Sequence, residues 1–248
     1  MSPETSAATS EPDAPEISLS VPCYNEEEVL RRTMGELCDA FAARGHRLQL
    51  VLVDNGSRDR TGAIIDELIA EGRPVDKGVV AVNQGQGLGY LTGLALCRGR
   101  WVGILPADGQ VDAHDVVKLF EVAKSSRQPL LVKVRRRFRL DGLKRKLVSI
   151  AYNAVANLLF LGLGTIDVNG SPKIFLRSDC ERMHLVSRDW FLEAEVMIRA
   201  KQLGIPVHEM NVMGRMREGG SSNVGGSTVW EFVLNLLRAR FGRIGPRP

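Results

Sequence analysis

The sequence predicts an α/β protein, an open and mostly parallel twisted sheet with helices on both faces, forming a single catalytic domain. Three observations carry that expectation. Short apolar runs alternate with segments of helical periodicity from Ile17 to Leu105, the βα repeat from which doubly wound sheets are built. Leu48 to Val53 is a nearly unbroken apolar run that stops at Asp54, as expected of a strand covered on both faces. Polar clusters recur where such strands would end: Pro22 to Glu26 after the first, Asp54 to Ser57 after the second, Asp108 to Gln110 after the fourth. Ligands of open α/β sheets bind beyond those carboxyl ends.

Taken in order, Met1 to Glu16 is rich in Ser, Thr, Ala, Pro and acids without an apolar run, and reads as a flexible tail rather than a signal peptide. Ile17 to Cys23 is the first strand, and Asn25 with Glu28 three residues later has the spacing of a capping box. Leu30, Met34, Leu37 and Phe41 place the apolar stripe of the following helix on one face, and Gly45 closes it. Leu48 to Val53, Gly78 to Val82 and Trp101 to Leu105 read as strands, with helices over Thr61 to Ala70 and Leu88 to Cys97 between them. Val116 to Lys124 is a further helix, Leu130 to Val134 a strand that runs into the basic cluster Arg135 to Arg139 and Lys144 to Lys146. Residues 147–163 are apolar enough for a helix lying in a membrane interface, or equally for a core helix, with Ser149, Asn153 and Asn157 forming a polar seam. Asp167 to Lys173 is a loop into the strand Ile174 to Leu176. Trp190 to Leu203 is an amphipathic helix, Pro206 to Val212 a strand, Arg215 to Asn223 a basic glycine-rich loop, and Thr228 to Phe241 a last helix.

Composition narrows the function. The 248 residues and 44% hydrophobic content suffice for one large core. Net charge is +4, and the tail holds four acids and no Lys or Arg, which leaves +8 on the remainder. A phosphorylated substrate, an anionic membrane surface or a merely solvated basic surface would each suit that balance. Nucleic acid suits it less, because the basic cluster flanks an apolar helix and contains no recognition module. The four cysteines form no C-x-x-C pair, so reduced thiols are expected rather than a structural zinc.

Asp108 and Gln110 stand two apart on a strand exit, where two oxygen ligands facing one way suit a hard divalent cation such as Mg²⁺ or Mn²⁺. Gly85, Gly87 and Gly89 offer a competing dinucleotide reading, but their G-x-G-x-G spacing is not G-x-G-x-x-G. That reading also leaves Tyr24 to Glu26 and the Asp54 cluster without a purpose.

Several of these segments, in this order, resemble the family-two glycosyltransferases of GT-A fold, which are Rossmann-like, and among them the polyprenyl-phosphate (dolichyl-phosphate) mannose synthase branch. The matching segments are V-P-x-Y-N-E at Val21 to Glu26, V-D-N-G-S-R-D-R-T at Val53 to Thr61, and a loose glycine helix lead at Gly87 to Gly93. They continue with the D-x-D-x-Q position at Pro106 to Gln110, the D-x-x-S-G-F-K-x-F-x-R position at Asp167 to Arg177, Glu195 to Gly204, and Arg217 to Asn223. The resemblance implies a glycosyltransferase domain over residues 17–226, with a nucleotide half to about residue 125 and an acceptor half beyond it, followed by a C-terminal helix and tail over residues 227–248.

It further implies that Pro22, Tyr24, Glu26, Asp54, Gly87, Ala107 and Asp108 bind a nucleotide-sugar donor (GDP-mannose or a UDP-hexose). Asp108 and Gln110 would hold Mg²⁺ or Mn²⁺, and Arg137, Arg145, Arg217 and Ser222 would receive a polyprenyl-phosphate acceptor. Asp108, Glu195 and Arg217 are the expected catalytic residues, with Glu195 or Glu193 as base should the acceptor be a soluble hydroxyl instead. The implied location is the cytoplasm, at the inner face of the membrane. The sequence departs from the family pattern at Pro106, which replaces the first acid of D-x-D, at Asn55, which replaces the second acid of V-D-D-G-S, and at Gly170-Ser171-Pro172. These departures keep a third reading open, a relative that binds nucleotide sugar without turnover.

Overall fold

A computed structural model describes residues 14–136, 152–160, 162–212 and 235–242. Seven strands form one sheet: β1 (Ile17–Cys23), β2 (Leu48–Asp54), β3 (Val75–Val79), β4 (Trp101–Ile104), β5 (Leu131–Arg136), β6 (Lys173–Leu176) and β7 (Val207–Val212), in the spatial order β3-β2-β1-β4-β6-β5-β7. Strands β3, β2, β1 and β4 pair in parallel and β5 pairs in parallel with β7, whereas β6 runs antiparallel to both its neighbours. The order reverses beside β1, and that switch point opens a crevice at the carboxyl edge.

Helices α1 (Leu30–Ala43), α2 (Thr61–Ala70) and α4 (Ala113–Ser125) cover one face. The other carries α3 (Gln86–Leu96), α5 (residues 152–159), α7 (Leu192–Gln202) and α8 (residues 235–241), with Met183 of the short α6 (Arg177–Met183). Alternation in β1 shows why both faces fill. Ile17, Leu19 and Val21 pack under α1, while Ser18 and Ser20 point the opposite way and are also buried. Ser20 donates to Tyr90 O at 3.0 Å, and Ser18 accepts from Gly99 N at 2.7 Å. These small hydroxyls let α3 lie close on the sheet while keeping their own hydrogen bonds.

Several expectations shift. The third strand is Val75–Val79, not Gly78 to Val82: Val75 is buried, whereas Val79 and Val82 are 63% and 68% exposed. No capping box forms at Asn25 and Glu28, because α1 begins only at Leu30 without a side-chain cap and Asn25 takes a left-handed φ of 53°. Glu16 is not tail; its backbone N–H donates to Arg47 O at 2.8 Å and its carboxylate meets Lys124. Helix α6 was not expected. Of the apolar stretch 147–163, the described part packs Tyr152 and Ala156 into the core and leaves Leu158 77% exposed, and residues 147–151 and 161 lie outside the described residues. Among the described residues no helix is long and apolar enough to cross a membrane.

Candidate active site

The exits of β1 and β2 are laced together. Cys23 pairs with Asp54 in register. Beyond that pair Asn25 N–H donates to Ser57 Oγ at 3.2 Å, Arg58 N–H to Asn25 Oδ1 at 2.8 Å, Glu26 N–H to Thr61 Oγ1 at 2.9 Å and Arg60 N–H to Glu27 Oε2 at 2.9 Å. Asn25 therefore serves two loops at once, and the left-handed conformation that Asn tolerates makes that reach possible. Asp54 accepts from Ser57 N–H at 2.9 Å, closing its own turn. This leaves Tyr24 exposed and Glu26 and Asp54 half-buried on the carboxyl edge, whereas Pro22 is buried beneath α3.

The exit of β4 is a tight turn. Leu105 N–H continues the ladder to Ser20 O at 3.0 Å, Ala107 is buried, and Asp108 Oδ1 accepts from Gln110 N–H at 3.2 Å. Gly109 has φ +64°, and a Cβ there would come within 2.5 Å of Thr33 Cγ2, so the turn needs glycine twice over. Thr33 donates to Ala107 O at 3.4 Å from the α1 side. An open groove of about 600 Å³, solvent included, runs along that side past Arg32, Thr33, Pro106 and Asp108. Among the described residues no three His, Cys, Asp or Glu side chains gather as a metal site. One carboxylate with neighbouring oxygens is the donor set of a cation that brings phosphate oxygens and water with it, as Mg²⁺ does. Asp108 is the carboxylate at this turn, with Gln110 two residues on, and Pro106 removes the alternative of a second protein carboxylate.

The glycine-rich turn meets protein rather than open space. Asn55 donates to Gly85 O at 3.1 Å, Leu88 N–H donates to Arg188 O at 2.8 Å, and Gly87 is buried against the backbone of Ser187 to Asp189. A Cβ at Gly89 would reach 2.6 Å from Pro22 Cβ. These glycines serve close helix packing, which answers the dinucleotide reading.

Glu195 is buried with 0% exposure, and its carboxylate accepts from Val186 N–H at 3.1 Å and Ser187 N–H at 2.8 Å, with Arg199 Nε 3.8 Å away. It is not positioned as a base for an acceptor hydroxyl. Glu193 accepts from Ser171 Oγ at 3.0 Å and Lys173 Nζ at 3.3 Å.

Lys173 faces Lys133 across the β5–β6 pair, and both side chains are fully buried. Lys133 donates to Glu209 at 3.1 Å, Thr165 Oγ1 at 3.1 Å and Asp167 O. Burial pushes the Lys173 ammonium down to about 8, against the attraction of Glu193; burial likewise lowers Lys133. Burial alone would raise Glu209, but the Lys133 charge and the Thr165 hydroxyl outweigh it and hold Glu209 below the usual carboxylate range. This polar cluster stands level with the β4 exit, since Lys173 pairs with Ile104. Sequence reasoning missed it; its trace was a lysine inside the apolar run of β5 and another at the head of β6. Arg137, Arg145, Arg217 and Ser222 lie outside the described residues.

The sequence profile described as "Glycosyl transferase family 2" matches residues 18–189. The chain is similar to the dodecaprenyl-phosphate galacturonate synthase of Rhizobium johnstonii, 29% identical over 91% of this chain and 67% of that protein. It is also similar to the undecaprenyl-phosphate mannosyltransferase of Micrococcus luteus, 28% identical over 88% of this chain and 91% of that one. Among solved structures, glucosyl-3-phosphoglycerate synthase from Mycobacterium tuberculosis in complex with Mn²⁺, UDP and phosphoglyceric acid shares the fold, with a TM-score of 0.71 at 20% identity, covering 94% of this chain and 80% of that chain.

Proposed function

The chain belongs to glycosyl transferase family 2, and on that footing we propose that it moves a sugar from a nucleoside-diphosphate donor to the phosphate of a polyprenyl phosphate. The observation that carries the acceptor class is the state of the two candidate bases. Glu195 is sealed in the interior on backbone N–H groups, and Glu193 spends both oxygens on Ser171 and Lys173. An acceptor hydroxyl would need a base to take its proton. A phosphate monoester, with a second pKa of about 6, arrives ionised and needs none. The relatives named for dodecaprenyl and undecaprenyl phosphate point the same way.

In this reading one phosphate oxygen attacks the anomeric carbon as the bond to the diphosphate breaks, and inversion is what the family resemblance implies. Tyr24, Glu26 and Asp54 line the nucleotide side, on turns that hydrogen bonds between the β1 and β2 exits hold together. Asp108 and Gln110 would hold a divalent cation whose charge offsets that of the departing diphosphate. Arg217 and Ser222 from the glycine-rich loop, with Arg137 and Arg145, are assigned to the phosphates of donor and acceptor.

Calorimetry with UDP and GDP, with and without Mn²⁺, tests the donor site: one nucleotide is expected to bind, more tightly with metal. Incubating the corresponding nucleotide sugar with undecaprenyl phosphate should then yield an organic-soluble glycolipid. Turnover on water-soluble alcohols with none on the lipid phosphate would overturn the acceptor assignment, nucleotide binding without any turnover would bring the non-catalytic reading forward, and binding of neither nucleotide would overturn the donor site.

A further inference from the structure

Residues 185–188, with no helix or strand of their own, begin the segment on which the glycine-rich turn rests. A Cβ at Gly85 would come to 2.9 Å from Arg188 O, and one at Gly87 to 2.6 Å from Ser187 O. Arg188 O also accepts from Leu88 N–H, near the start of α3, at 2.8 Å. The segment is anchored from beneath by Glu195, whose wholly buried carboxylate takes the N–H groups of Val186 and Ser187. On the far side Asp189 accepts from Asn235 of α8 at 3.3 Å. The glycine-rich turn in its own right is tied to the nucleotide edge through Asn55 and Gly85 O at 3.1 Å. A charge-assisted anchor in the interior is thus joined by backbone contacts to the N-terminal end of α3.

We propose that Glu195 is a positioning residue which, through Val186 and Ser187, sets the position of Gly85 to Gly89 at the start of α3 and thereby the affinity for the nucleotide-sugar donor, without touching substrate. The inference rests on the donor-site reading above. It places Glu195 in donor binding and takes it out of proton transfer.

The test compares Glu195→Gln and Glu195→Ala with Gly87→Ala, which disturbs the same contact from the other side. Donor KM, and Kd for the nucleoside diphosphate that the wild type binds, should rise about ten- to hundredfold in Glu195→Ala, the usual worth of a hydrogen bond to a charged group. Turnover number should stay within about threefold of wild type. Glu195→Gln, whose amide oxygen can still accept from Ser187, should recover part of the affinity, which guards against a Glu195→Ala variant that fails to fold. The Glu195→Ala and Gly87→Ala effects should be clearly less than additive, because they act on one contact.

Trp190 follows the segment and is half-exposed. Its emission should change on nucleotide binding in the wild type and change less in the Glu195 variants, with Trp190→Phe as the blank. A Glu195→Gln variant with unchanged donor KM and a turnover number reduced a hundredfold or more would make Glu195 a base and overturn the proposal. So would donor affinity unmoved in every Glu195 variant while the wild type binds nucleotide. Failure of the wild type to bind any nucleotide overturns the donor-site reading and this inference with it.

Discussion

Asp108 sits in a turn that Gly109 and Thr33 shape and that Gln110 N–H closes, so its carboxylate is placed before any ligand arrives. Asp108→Asn keeps the shape and the acceptor oxygen of that turn while removing the charge. It is expected to lower Mn²⁺-dependent turnover by about two to three orders of magnitude, the scale of losing one electrostatic contact to a transition state. The melting temperature should barely move; wild-type rates in this variant would remove the metal role from Asp108.

Lys173 makes a different claim on the chain. Its folded value of about 8 lies below the ordinary 10.5, so between those two pH values the unfolded chain binds the extra proton. Stability attributable to Lys173 is therefore fully present above about pH 10.5 and is lost as pH falls through about 8. Urea denaturation of wild type and Lys173→Met at pH 7 and pH 10 should show the comparison moving in favour of the wild type at the higher pH. A difference that stays constant would mean that Lys173 keeps its proton throughout.

Among the elements, β5, β6 and β7 carry a row of buried charge, Lys173 beside Lys133 beside Glu209. Glu209 also accepts from Ile166 N–H at 3.1 Å and Asp167 N–H at 3.4 Å, so it holds the loop that leads into β6. Replacing Glu209 by Ala strands the Lys133 ammonium in the interior and should cost about 3–5 kcal/mol, whereas Lys133→Met with Glu209→Leu should recover much of that loss. Equal destabilisation of the single and double variants, by denaturant titration, would count against the pair.

The same elements mark where the sequence was legible. The apolar runs of β1, β2 and β4 and the stripe of α1 were plain, since each follows one period. Strand β3 was displaced because Asp76 and Lys77 lie within the real edge strand, while Val79, Val80 and Val82 advertised a later one. Lys133 and Lys173 were passed over because their partners come from β7 and α7, far along the chain. Glu195 was visible as an acid on a helix, but its burial depends on a loop that only tertiary packing brings to it. Asn25 has capping spacing and was claimed by Ser57 and Arg58 instead.

For the whole molecule, the basic balance outside the tail and the proposed polyprenyl-phosphate acceptor lead to the prediction of a surface that meets lipid. Helix α8 buries Leu236 and Ala239 and turns Leu237 and Phe241 outward, 37% and 78% exposed, with Arg238 and Arg240 beside them. Trp190, half-exposed, joins the same region through Asp189 and Asn235. Flotation with vesicles containing anionic lipid should carry the protein upward at low salt and release it as ionic strength rises. Failure to float at low salt would argue for delivery of the acceptor by other means.

The antiparallel β6 has one more consequence, for how the enzyme comes into being. It is made after both strands it lies between, and among the described residues it is the strand that pairs the β3-β2-β1-β4 group with the β5-β7 pair. Until residues 173–176 are made, β5 has neither of its sheet neighbours, because β7 follows β6 in the chain. On the proposed reading the donor edge is joined to β5 and β7 only once β6 and β7 are in place, so activity should be switched on late in synthesis and as a unit rather than growing by stages.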